Sequence, residues 1–161
     1  MKPGPLGLPY GAMIDDLYSA KILKLAANLP RSGRLPAPDA SAERVSKLCG
    51  SRAVVDVVVK DGVVVNYAQD VKACALGQAV AGIVGEHIVG ATVEEIEQAR
   101  DQLRAMLKAG GPHPTGRFAD LGLLEQVRDY PARHASTLVA VEAAAEAARK
   151  ALDRTSTADA A

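Results

Sequence analysis

The sequence predicts an α+β domain, and three observations predict it. Two β-branched runs flank an Asp-Gly pair at 61–62, helix-periodic stretches lie on both sides of them, and the chain after Cys74 reads as a series of helices. Strands followed by helices give a small antiparallel three-stranded sheet. The helices pack on one face, and N-terminal and C-terminal helices flank the sheet.

Each element has its own signal. Ile14, Tyr18, Ile22, Leu25 and Leu29 recur at helical steps, which predicts a helix over 14–29 that Pro30 ends. Residues 30–40 carry three prolines and read as an extended connector. A first strand falls near Ser41–Leu48. Ala53–Val59 and Val63–Tyr67 are the stronger strands, and Asp61-Gly62 between them predicts a two-residue hairpin. After Cys74 a helix runs to about Ile88, with Gly77, Gly82 and Gly85 spaced to let another element approach closely. Thr92 and Glu95 form a capping box, and Val93, Ile96, Leu103 and Leu107 line one face as far as Gly110-Gly111. A loop over 110–116 leads to a short helix near Phe118–Val127. The last helix is expected from about Ala132 to Leu152, striped by Leu138, Val141, Ala145, Ala148 and Leu152.

The division expected is a disordered or non-native tail over 1–12, with Met13 as a natural start, one domain over 13–152, and a frayed end over 153–161. Hydrophobic residues make up 48% of the chain and aromatic residues 3%, so the core must be built from Ala, Val, Leu and Ile. Nineteen basic residues balance nineteen acidic ones, which gives no bulk electrostatic support for nucleic-acid or membrane binding. No apolar run has the length of a membrane span, and no secretory h-region opens the chain. The two cysteines are therefore expected as reduced thiols in a cytoplasmic protein.

Cys49 stands just before the first strong strand, and Cys74 stands just after the second at a helix start. The hairpin between them brings its outer ends together, so both thiols fall at one end of the sheet. A helix N-terminus favours a thiolate at Cys74, and thiolates suit zinc or iron–sulfur clusters. Read from the residues alone, the pair is either such a soft-ligand pair or two small buried hydrophobes. His134, which opens the last helix after Pro131, is the third candidate ligand; its bland reading is a capping or surface residue. His87 near a helix end and His113 in a Gly-Pro loop read as ordinary polar positions. No P-loop follows Gly110-Gly111, and no oxyanion loop accompanies a Cys–His pair.

These segments resemble a known family. LYSAKILKLAANLP, LCGS, VKACALGQAVAGIVGEHIVG, TVEEIEQARDQLRAML and YPARHASTLVAVEAA follow, in order and spacing, the IscU/NifU/SufU iron–sulfur cluster scaffolds over roughly residues 13–152. The resemblance implies that three cysteines and a nearby Asp or His hold a nascent cluster, of the 2Fe-2S kind, or a zinc ion. Cys49 and Cys74 match the first two cysteines. The Asp that follows Cys-Gly falls on Ser51, and the third cysteine falls on Ala135 or Ser136. His134 lies near a His that precedes the third cysteine in some members. A cysteine desulfurase, Fe–S acceptor proteins and a homo-oligomer are the partners implied.

The function expected is a scaffold that binds a metal ion or cluster through Cys49, Cys74 and His134 and hands it on, rather than an enzyme. A scaffold-fold interaction protein with an inert site and a sulfur-transfer factor with a reactive Cys are the alternatives.

Overall fold

The computed structural model describes residues 18–48 and 50–160, with side chains to residue 155. The expected tail over 1–12, the start at Met13 and residues 14–17 of the expected first helix lie outside the described residues; Tyr18 and Ser19, expected to be helical, precede the helix.

Helix α1 (Ala20–Ala27) is capped by Ser19, whose hydroxyl accepts from the Ile22 N–H. Strands β1 (Ala40–Ser46), β2 (Ser51–Lys60) and β3 (Val63–Lys72) form an antiparallel meander in the order β1-β2-β3. The β2–β3 turn is Asp61-Gly62 as expected, both residues with positive φ (54° and 78°), the twist-matched hairpin geometry that this pair favours. The strands run past the ends of the β-branched runs, to Lys60 and Lys72, because the ladder continues through Gln69, Asp70 and Val71. Two residues separate β3 from helix α2 (Ala75–His87), and helix α3 (Val93–Ala109) follows with the Thr92–Glu95 capping box formed in both directions. Gly110 ends α3 in the left-handed conformation.

Two segments differ from their sequence expectation. Residues 116–129 form 3₁₀ turns, broken at Phe118, where a short α-helix was expected. Phe118, Leu121, Leu124 and Val127 recur every third residue and are all buried, and a period of three is the repeat of the tighter helix. The last helix, α4 (His134–Ala160), runs beyond Leu152 and is buried around most of its girth between Leu138 and Ala151. Its many alanines let the sheet, α2 and α3 all close on it.

The inner face of the sheet carries Ala40, Ala42, Ala53, Val55, Val57, Val59, Tyr67, Gln69 and Val71, all buried against the helices. Each Leu, Ile or Val fully buried there contributes about 1.5–3 kcal/mol. Polar Gln69 is accommodated because its amide donates to the carbonyls of Pro30 and Ala81, tying connector to α2. The three glycines of α2 do allow close approach: a Cβ would meet Ser136 backbone at Gly77, Leu25 backbone at Gly82, and Gln69 and Pro30 at Gly85.

The outer face is partly covered by the connector. Residues 31–33 pair with Gln69 along the β3 edge. The chain then crosses beneath the sheet, where Arg34, the Leu35 N–H and Ser41 all hydrogen-bond the buried Asp56 carboxylate. Among the described residues no helix is long and apolar enough to cross a membrane.

Candidate functional site

The β1–β2 turn, the end of β3 and the start of α2 meet around an open cleft of about 490 Å³. Gly50, Ser51, Lys72, Ala73, Cys74 and Gln78 are among its lining residues. Antiparallel pairing puts these segments side by side: Ser46 pairs with Ser51, and Arg52 pairs with Lys72. Only Ala73 separates the end of β3 from Cys74, so the sheet fixes the position of that thiol directly.

Cys74 is the N-cap of α2. Its side chain makes no capping bond to the helix, and its Sγ lies 3.5 Å from the Ser136 Oγ at the start of α4. Half-burial of the thiol pushes its pKa up. The Ser136 hydrogen bond, the N–H groups of Gly77 and Leu76, and the charge of Arg133 outweigh that, so the thiol ionises below its ordinary value. A half-exposed, acidified thiol at a cleft is a different object from a buried structural cysteine.

The cleft and the Ser46–Ser51 pair at its edge hold polar atoms without partners. Ser51 Oγ, Ser46 Oγ and Gln78 Oε1 are buried with no hydrogen-bond partner among the described residues. Both serines are at least nine-tenths buried, and Ser51 lines the cleft beside Cys74. Buried oxygens are ordinarily satisfied, so this grouping fits a site in which a bound group or water supplies the missing contacts.

Of the sequence-predicted residues, Cys74 is where expected. Cys49, bonded to the cleft residue Gly50, lies outside the described residues, and so does its separation from Cys74. His134 opens α4 as expected, but it is buried, and its Nε2 donates to the carbonyls of Val127 and Arg128 at 3.0 and 3.2 Å. The ring thereby anchors α4 to the end of the 3₁₀ segment. Ser136, one of two positions that the sequence left open, is the residue in contact with the Cys74 sulfur. His113 pairs with Glu125, and His87 stands near Asp120, both away from the cleft. Gln78 was missed by sequence reasoning; its place one turn after Cys74 was the available signal.

No family model matches the sequence. The iron–sulfur cluster assembly scaffold protein IscU of Thermotoga maritima is 28% identical over 134 residues, which cover 83% of this chain and 94% of that protein. The crystal structure of the N-terminal part of a nitrogen-fixing NifU-like protein from Brucella abortus superposes with a TM-score of 0.85 at 50% identity, covering 88% of this chain and 98% of that one. The chain belongs to the IscU/NifU/SufU family. A structure from Fervidobacterium islandicum AW-1, assigned as an assembly scaffold of the SUF system, has the same fold, with a TM-score of 0.76 at 19% identity over 83% of this chain and 98% of that one. The cleft is lined by Cys74 and by Gly50, the residue that follows Cys49 in the chain.

Proposed function

We propose that this chain is an iron–sulfur cluster assembly scaffold that receives a nascent cluster or metal ion at Cys49 and Cys74 and passes it to acceptor proteins. The cluster is cargo, of the 2Fe-2S kind, and zinc is the simpler ion for which the same thiols are suited. The observation that carries the reading is the Cys74 thiol, its pKa lowered, at a cleft that Gly50, the covalent neighbour of Cys49, also lines. Tetrahedral coordination at ~2.3 Å per sulfur puts the two Sγ atoms about 4 Å apart when loaded. His134, if it ligates, does so through Nδ1, because Nε2–H is held by two carbonyls; metal-bound imidazoles are commonly oriented in that way.

The chain turns over no substrate in this reading. A cysteine desulfurase supplies sulfur, an Fe–S acceptor takes the product, and a second copy of the chain completes the ligand set for a cluster that needs four thiolate-type ligands. A cytoplasmic setting keeps the thiols reduced. Ser51, and Ala135 or Ser136, which fall where the resemblance puts ligands of the family, favour one second reading, an interaction protein on a retained fold.

The test is anaerobic purification, followed by reconstitution with ferrous iron and sulfide and then mixing with an apo-ferredoxin. Iron with labile sulfide, transferred to the acceptor and lost in Cys49→Ser and Cys74→Ser, is expected. Absence of iron and sulfide from the reconstituted protein overturns the proposal.

A further inference from the structure

Resting on the reading that Cys74 binds metal, we infer that Gln78 is a ligand of the same ion, through the oxygen of its side-chain amide. Cys74 and Gln78 are one helical turn apart. The Gln78 N–H donates to the Cys74 carbonyl at 2.9 Å, so the turn between them is formed, and both residues line the cleft. Side chains four residues apart on a helix start about 5–6 Å from each other and lie on one face. That spacing is the one with which two histidines of a single helix hold one zinc ion.

The composition of α2 singles out the same residue. Over residues 75–85 every side chain is apolar or absent except that of Gln78, and this one polar group stands at the cleft. Its Oε1 is buried and has no hydrogen-bond partner among the described residues. An amide oxygen only accepts, so burying it without a donor or a cation beside it is costly. Independently, Ser51 is 2% exposed and lines the same cleft, and its Oγ is also without a partner among the described residues. Ser51 belongs to β2 and Gln78 to α2, so two separate elements leave oxygens unsatisfied at one place.

The Cys74 side chain makes no capping bond to its helix, which leaves the sulfur for the ion. Loading releases the Cys74 thiol proton to solvent, and the amide oxygen coordinates as a neutral donor with no proton to lose. The ion then has one soft donor and one hard one. A carbonyl oxygen attracts monovalent copper poorly, so the pair favours divalent ions such as zinc and ferrous iron over copper(I).

Zinc is the probe, titrated into the full chain under reducing, anaerobic conditions. Affinity is taken from chelator competition, and the glutamine side-chain amides are followed by proton–nitrogen NMR. The Gln78 amide pair is the one that disappears in Gln78→Leu, a substitution of similar size that a helix accepts. In the parent chain that pair is expected to shift as zinc is added and to stop shifting when the protein is saturated. Gln78→Leu is expected to weaken zinc about tenfold or more, with circular dichroism unchanged. Gln78→Glu is expected to recover the affinity or exceed it, because a carboxylate oxygen takes the same place with a charge. An amide pair that stays in place in the zinc-saturated parent overturns the inference. So does a Gln78→Leu variant that binds zinc as the parent does while Cys74→Ser binds far more weakly; the Cys74 site then stands without Gln78. If the parent binds no zinc, or Cys74→Ser binds it as the parent does, the underlying reading falls and the inference falls with it.

Discussion

At the residue scale, Cys74 and Asp56 are among the side chains whose ionisation the fold controls. The Cys74 thiol is half-buried, yet Ser136, the helix N–H groups and Arg133 lower its pKa. Alkylation of the Cys49→Ser variant by iodoacetamide should therefore reach its half-maximal rate below the ordinary thiol pKa of about 8.5. Ser136→Ala should move that midpoint upward; an unmoved midpoint would show that the hydroxyl does not act on the sulfur. Burial raises the pKa of Asp56, but the bonds from Arg34, Ser41 and the Leu35 N–H overcome it and the net shift is downward. A carboxyl with a folded pKa below its unfolded value stabilises the protein above the unfolded pKa of about 3.9, and that stability disappears as pH falls through the folded pKa. Asp56→Asn should cost about 2–3 kcal/mol at pH 7 and flatten the acid limb of the stability curve, measured by urea melts between neutral and low pH. Equal acid limbs in the two proteins would remove Asp56 from the account.

At the scale of elements, legibility depended on whether the signal was local. The Asp61-Gly62 hairpin and the Thr92–Glu95 capping box are local chemistry, and the structure contains both. The 3₁₀ segment was read as α-helix because a few apolar residues fit either period; burial of every third residue decides it, and burial is a tertiary property. The all-round burial of α4 was hidden for the same reason, since a stripe in the sequence says which face is apolar but not how many neighbours surround the helix. In the site, the helix start at Cys74 was legible. The choice between Ala135 and Ser136 was not, because one residue turns a helix by about 100° and only packing tells which side chain faces the thiol. The contact of Gly77 with Ser136 makes a prediction at this scale. Gly77→Ala should destabilise the protein by about 1–3 kcal/mol in thermal or urea unfolding, through forced separation of α2 from α4. A silent Gly77→Ala would mean that the two helices are not held in register by that contact.

At the scale of the molecule, α4 is the element on which the sheet, α2 and α3 converge. Its contacts are also the most distant along the chain: Arg44 pairs with Glu146, and Arg154 donates to the Asp39 carbonyl 115 residues away. A chain stopped before His134 lacks this partner for every other layer, so it should show no cooperative thermal transition by circular dichroism. A sharp transition in that truncated chain would show that sheet and α2 suffice. The placement of α4 also bears on biogenesis. Contacts of such high order close late and slowly, because the entropy of a long loop must be overcome before they form. During synthesis both cysteines emerge well before the helix that carries Ser136. Until that helix docks, Cys74 lacks its hydroxyl partner. The surroundings that lower the Cys74 pKa are therefore among the last things the polypeptide completes.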